Sequence, residues 1–238
     1  MRFLTTYYWD RGCRENNQDS ITIQSVTTRK GPVCMACVCD GVGGLPHGEI
    51  ASGYIVEELT GWFYEEVVPM MQCGTLHLRI RKAFYRKSYE IHRKMKQYSQ
   101  ESRQRMGSTC TCLVITRKKY FIFHIGDTRS YKIGMRIKCL TRDHMADAHT
   151  LAKCMESGKW NRPDCRCGSY RKNEGFLLCS DGYRHYTSEQ NFAEILGYGT
   201  IRKKTEQELT KCLQEIGKRN KHRGETDNMS AIYLRQTG

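Results

Sequence analysis

No apolar run in this 238-residue chain approaches the roughly 20 residues that a helix needs to cross a bilayer, so a membrane-spanning helix is not expected. The opening residues, Met1 to Tyr8, hold no apolar core of the kind that export signals carry over about 7–15 residues. Internal repeats and low-complexity linkers are also missing, which leaves an ordinary globular chain. Acidic side chains are in short supply, with 25 Asp and Glu against 39 Lys and Arg, for a formal net charge of +14. The imbalance is local. Residues 76–106 carry ten Lys/Arg against Glu90 and Glu101, and residues 202–223 carry eight against Glu206, Glu208 and Glu215. Those two stretches account for 13 of the 14 excess charges, so the protein is not basic as a whole and nucleic acid is not an expected partner.

A hydrophobic fraction of 39% with 10% aromatics is enough for a packed core. The length fits one domain, expected to span residues 1–238. Thirteen cysteines, an odd number, without an export signal imply reduced thiols in a cytoplasmic protein. β-branched and aromatic residues predict strands at 3–8, 20–27, 33–39, 109–116, 120–125, 176–180 and 229–234, with a hairpin over 129–140 around Gly134. Helical spacing predicts helices at 49–64, 76–98 and 206–217. Residues 144–175 read as irregular. Strands in runs with helices inserted between them imply an α+β domain of antiparallel sheets with helices outside.

The chemistry is concentrated in aspartates at strand ends. Asp40, Asp127 and Asp181 each follow an apolar run, whereas Asp227 and Asp19 each precede one. Carboxylates gathered at the rim of a sheet repel one another unless cations neutralise them, and hard oxygen ligands select Mg²⁺, Mn²⁺ or Ca²⁺. Glycine flanks three of them, in Asp40-Gly41, Gly126-Asp127 and Asp181-Gly182. It permits tight turns and close approach of a main-chain carbonyl to an ion.

The wording and order of the motifs around these aspartates resemble the PPM phosphatases, the protein phosphatase 2C family. The resemblance starts with Gly12-Cys13-Arg14 before Asn17-Gln18-Asp19. It continues through Asp40-Gly41-Val42-Gly43-Gly44 with Gly48-Glu49-Ile50-Ala51-Ser52, then Gly107-Ser108-Thr109 and His124-Ile125-Gly126-Asp127-Thr128-Arg129. Leu140-Thr141-Arg142-Asp143-His144, Leu178-Cys179-Ser180-Asp181-Gly182 and Thr226-Asp227-Asn228-Met229-Ser230 complete it. The resemblance implies a four-layer αββα sandwich and a metal-dependent serine/threonine phosphatase using Mn²⁺ or Mg²⁺, two ions with a third at a weaker site. Asp40 would bridge two ions, with Gly41 lending its carbonyl oxygen, and Asp181 and Asp227 would complete the first site. Asp19 would act through bound water, Asp127 would belong to the third site, and Arg14 would fork the substrate phosphate. A water between the ions would attack phosphorus directly. Partners would be phosphorylated proteins made by a serine/threonine kinase, and the enzyme is expected to be a monomer.

Departures from the family pattern are also visible. Val42 stands where many eukaryotic members have a histidine suspected as general acid, and Gln18 stands where many have Glu. The segment between Asp143 and Asp181, which in the family holds a flap bordering the site, is short and rich in Cys and Arg. A catalytically silent module of the same fold, binding a phosphorylated partner, is the alternative, though such a module need not keep the aspartates. Cys37/Cys39 and Cys110/Cys112 alternate within strands, so they read as small core hydrophobes, while Cys154, Cys165 and Cys167 leave a zinc-stapled flap open. His124 and His144 read as structural. The basic stretches read as solvated helix faces or as surfaces for an acidic partner.

Overall fold

A computed structural model describes residues 2–43, 47–147, 150–171, 173–201 and 203–237; Gly44 of the glycine-rich motif lies outside them. In chain order, β1 (Phe3–Asp10), β2 (Asp19–Thr28) and β3 (Gly31–Asp40) lead into α1 (Gly48–Trp62). A π-helical turn over Phe63–Val67 joins α1 to α2 (Val68–Gln72). Pro69 lies just beyond that turn; it lacks the N–H that a regular helix needs there, and its ring crowds the preceding turn. The chain continues through α3 (Leu76–Ser102), β4 (Gly107–Ser108), β5 (Cys110–Thr116), β6 (Lys119–Ile125), β7 (Arg129–Ile133) and β8 (Ile137–Cys139). Then come β9 (Met155–Glu156), β10 (Asp164–Ser169), β11 (Gly175–Cys179), α4 (Asp181–Arg184), α5 (Glu189–Leu196), α6 (Tyr198–Ile201), α7 (Glu206–His222) and β12 (Met229–Gln236).

The strands form two five-stranded sheets. One runs β1-β12-β11-β7-β8, the other β10-β6-β5-β3-β2, and β4 pairs with β9 separately. All pairings are antiparallel. Three apolar layers hold the stack together. Val33, Met35, Cys37 and Cys39 of β3 face Ile55, Leu59, Trp62, Ile80 and Phe84 of the helices. The alternate residues Cys34, Ala36 and Val38 face Phe176, Leu178, Ile232 and Leu234 of the other sheet. On the far side Leu177, Cys179 and Tyr233 pack against Phe192, Leu209, Leu213 and Ile216. This is an αββα sandwich, as the sequence implied. β3 is buried on both faces, which explains why it reads as an unbroken apolar run.

The basic stretches are amphipathic helices. α3 buries Leu76, Ile80, Phe84, Ile91 and Met95, with its charged residues on the opposite face. α7 opens with a capping box in which Thr205 accepts from the Glu208 amide and Glu208 reaches back to the Thr205 amide.

Residues 144–175 are more ordered than their sequence suggests. β10 adds to the open edge of β6, pairing Asp164 with His124 through to Ser169 with Lys119, and β9 pairs with β4. Asp164-Cys165-Arg166-Cys167-Gly168-Ser169 has no β-branched or aromatic residue; the ladder offered by β6 makes it a strand, not its own propensity. Within that segment Cys165 packs against the helix-side core and Cys167 is exposed. Cys154, Cys165 and Cys167 form no ligand cluster among the described residues, so no zinc staple is seen there.

Phe176 is fully buried between the sheets, against Tyr120 and Tyr170. Phe176→Ala is expected to cost about 3–5 kcal/mol, measured as a lower urea midpoint at unchanged slope.

Candidate active site

The two sheets deliver their aspartates to the same rim. In the β2–β3 hairpin, Asp19 sits directly opposite Asp40 in the register, so the first residue of one strand and the last of the other meet at one corner. Backbone bonds fix that corner. Thr109 N donates to Asp40 O at 2.8 Å, and Asp40 N donates to Thr109 Oγ1 at 2.9 Å. Gly41 N donates to Gln18 O at 3.0 Å, and a Cβ at Gly41 would stand 2.6 Å from the Gly48 backbone. Only glycine allows the start of α1 to approach so closely.

The other sheet brings Asp181, which opens α4 directly after β11, and Asp227, which precedes β12. Asn228, given no role in the sequence reading, anchors the loop that carries Arg14. Its Nδ2 donates to Arg11 O at 2.8 Å and to Asn16 O at 3.1 Å, and its Oδ1 accepts from Gln18 N at 2.8 Å. Gly12 in this loop has φ +63°, and a Cβ there would lie 2.1 Å from Asp227 O. The glycine therefore serves loop packing as well as motif wording. Glu225 was likewise missed. It is buried, its Oε1 accepts from the Thr226 and Asp227 amides at 2.9 Å each, and its Oε2 is 2.9 Å from His185 Nδ1. No sequence signal marks it beyond its place after the Gly224 turn.

Asp40, Gly41, Asp127, Asp181, Asp227 and Arg14 line one cavity of about 650 Å³, together with Gln18, Asp143, Arg184 and His185. Asp19 is not among the lining residues; it is 1% exposed, and neither of its carboxylate oxygens has a hydrogen-bond partner. Burial raises its carboxyl to about 7; the nearby Ser230 and Ser180 hydroxyls oppose the rise and the Asp181 and Asp227 charges add to it. Asp40 is pushed well above the usual carboxylate range, first by burial and then by the charges of Asp19, Asp181, Asp127 and Asp227. Asp127 rises to about 6 for the same reasons, with Arg184 opposing. Crowded carboxylates, with both Asp19 oxygens unpartnered, fit a hard divalent cation such as Mg²⁺ or Mn²⁺ and offer nothing to a soft one, although among the described residues no three of them bring oxygens within 4.8 Å of one another.

Arginines occupy the flanks. Arg14 forks Asp227, Nε to Oδ1 at 3.0 Å and Nη2 to Oδ2 at 2.9 Å. Arg129 forks Asp143 at 2.9 and 2.8 Å. Arg184 bridges Asp143 Oδ2 at 3.2 Å and Asp127 O at 3.1 Å. Burial works to raise the Asp143 carboxyl, but Arg129 and Arg184 outweigh it and hold it below the ordinary value. Both histidines are structural in place. His124 binds Thr111 Oγ1 and Arg142 O at 2.9 and 3.0 Å, and His144 accepts from Gly126 N at 3.1 Å. Cys37, Cys39 and Cys110 are the one trio of described ligand residues with donor atoms all within 4.8 Å of one another. They are sealed in the helix-side core, where Cys39 and Cys110 are driven far toward the protonated thiol.

The family model for protein phosphatase 2C matches residues 12–216. The chain belongs to the protein phosphatase 2C family. The enzyme class expected from the sequence, a metal-dependent phosphoprotein phosphatase, follows from that membership. A relative in this family is the serine/threonine phosphatase stp of Listeria monocytogenes, 24% identical over 250 residues, covering 94% of this chain and 92% of that protein. Among solved structures, serine/threonine phosphatase Stp1 from Staphylococcus aureus superposes with a TM-score of 0.84 at 23% identity, covering 100% of this chain and 96% of the other. The catalytic domain of the serine/threonine protein phosphatase PstP, solved in complex with two manganese ions, superposes at 0.77 with 21% identity, covering 98% of each chain. These two superpositions establish the protein phosphatase 2C fold. Among the described residues, no helix is long and apolar enough to cross a membrane.

Asp19 has a folded-state value above its unfolded value of 3.8. Its stabilising share is therefore present below about pH 4 and lost as pH rises through about 7. In EDTA, Asp19→Asn is expected to melt higher than wild type by a margin that widens from about pH 4 to about pH 7. A constant or shrinking difference in Tm would contradict the raised carboxyl.

Proposed function

We propose that the chain acts as one catalytic domain over residues 1–238 and hydrolyses phosphoserine and phosphothreonine in proteins. The supporting observation is the convergence of Asp40 from one sheet with Asp181 and Asp227 from the other around one cavity, with Asp19 opposite Asp40 in the register and its oxygens unpartnered. Asp40, Gly41, Asp181 and Asp227 are the residues to hold two Mn²⁺ or Mg²⁺ ions. Asp19 supports them from below, and Asp127 belongs to a third, weaker position because Arg184 already answers part of its charge. When bound, such ions supply Lewis acidity that lowers the pKa of water and draws charge from the phosphoryl oxygens.

The chain's own groups do the rest. Arg14 offers a planar fork that matches two phosphate oxygens; here it rests on Asp227, which becomes available to it or to an ion according to what else is bound. Among the described residues lining the cavity there is no cysteine or serine, and the Thr109 hydroxyl is engaged by the Asp40 amide. This sets aside a hydroxyl or thiol nucleophile and leaves water as the proposed attacking group. The phosphorus–oxygen bond to the serine or threonine breaks, and since Val42 has no proton to give, the leaving oxygen takes one from water or from another group at the cavity, where His185 also lies. The Arg129–Asp143–Arg184 chain fixes the edge of the cavity beside Asp127. A monomer working in the cytoplasm on the products of a serine/threonine kinase completes the proposal.

Purified protein is expected to hydrolyse p-nitrophenyl phosphate and a phosphothreonine peptide only with Mn²⁺ or Mg²⁺ present. Asp40→Asn or Asp181→Asn should lower kcat by more than about 100-fold, beyond the 10–100-fold typical of residues that merely support ligands. Arg14→Ala should chiefly raise KM. Undiminished turnover in EDTA, or in either Asn variant, would overturn the assignment, and tight phosphopeptide binding without turnover would mark a silent binding module.

A further inference from the structure

Beside the acidic cavity lies a second depression, of about 560 Å³, at the open side of the sandwich where the edge strands β1 and β2 lie over one another. It is lined by Tyr7, Trp9, Ile21, Ile23 and Val56, with Asp19 at one end. Alternation along β1 sets the geometry. Thr6 and Tyr8 point to the helix layer, where Thr6 meets Thr210 and Tyr8 packs beside Tyr183. Phe3, Thr5, Tyr7 and Trp9 therefore share the opposite face, the one that packs against the second sheet, and Phe3 does join the inter-sheet core. Tyr7 and Trp9 occupy core-facing positions, yet they are 57% and 52% exposed. Little covers them along this stretch of the edge, leaving an aromatic wall over a floor in which Ile21, Ile23 and Val56 alternate with Ser20 and Thr22.

The groove is continuous with the acidic site. Gln18 lines the acidic cavity and the next residue, Asp19, lines the groove. Trp9 Nε1 donates to Asp19 O at 3.0 Å, fixing the ring at that junction. Residues flanking a phosphorylated side chain presented to the aspartates must leave by the cavity's borders, and Gln18–Asp19 is one of them. We propose that the groove is a subsite for the substrate chain, taking an aromatic or large aliphatic side chain that flanks the phosphorylated residue. The proposal rests on the phosphatase reading and adds a substrate class to it: phosphoproteins with apolar residues beside the phosphosite. Its volume suits one or two large side chains, and its mix of apolar wall and a few polar groups is that of a side-chain pocket.

Two phosphothreonine peptides test this, one flanked by Phe and Leu and the other by Gly and Ser, with p-nitrophenyl phosphate as a substrate too small to reach the groove. Wild type with Mn²⁺ should favour the apolar-flanked peptide by about tenfold in kcat/KM, the scale of one well-packed contact residue. Tyr7→Ala should remove most of that preference, Tyr7→Phe should keep it, and both should hydrolyse p-nitrophenyl phosphate at the wild-type rate. Equal use of the two peptides by wild type, or a preference that survives in Tyr7→Ala, would overturn the subsite. Should no substrate be turned over, the phosphatase reading has failed separately, and anisotropy of the fluorescently labelled peptides then decides the groove. Tighter binding of the apolar-flanked peptide that is lost in Tyr7→Ala supports it; equal binding of both peptides refutes it.

Discussion

Carboxylates drawn from two separate sheets into one dehydrated corner repel each other, and the rest of the structure holds them there. Asp19 is the extreme case, 1% exposed with no hydrogen-bond partner for either oxygen. A free chain would not gather such groups; isolated charges in a low-dielectric setting are costly enough that they protonate or find a counter-charge. The upward drift of Asp19, Asp40 and Asp127 is the protonation side of that choice. The Arg14–Asp227 fork and the arginines around Asp143 are the counter-charge side. Ladder bonds in both sheets, and three apolar layers through the stack, supply the opposing stability.

Much of this was legible in the residues. Apolar runs ending in Asp mark strand rims, and rim aspartates from distant parts of the chain converge if the sheets stack, as Asp40 and Asp181 do in one cavity. The three helices with clear apolar stripes were legible too, because burying such a stripe leaves little choice of face. β10 was hidden, since an edge strand can be recruited by its neighbour without β-forming residues of its own. The π-turn was hidden as well; it depends on where Pro69 falls in a helix that continues past its predicted end. Asn228 and Glu225 escaped for another reason. Their work is to hold loops and amides in place, and the need for it appears only when residues 11–18 are seen lying against the start of β12.

The cysteines and the excess positive charge, the most conspicuous features of the composition, contribute little to the site. Cys37, Cys39, Cys110 and Cys112 fill the layer between sheet and helices as small apolar side chains; the Cys39 thiol is pushed up by burial and the Cys110 thiol chiefly by its contact with Cys37. The basic residues of α3 are partly spent on neighbours, Lys94 and Lys87 both reaching Glu58. This lowers the Glu58 carboxyl to about 2, the lysine bonds overcoming the opposing effect of burial. Composition alone would have pointed toward zinc and nucleic acid; placement points toward neither.

Because one pair of aspartates belongs to each sheet, the greasy layer between the sheets acts as a spacer that sets how far apart the two pairs of carboxylates stand. Phe176, Ile232, Val38 and Leu113 fill that layer, and none of them lines the acidic cavity. Thinning or thickening it by a methylene would move whole strands, not single side chains, and would change the spacing of the carboxylates from inside the protein. An ion held from both sides would in turn clamp the sheets together, so the metal and the oily interior would each report on the state of the other.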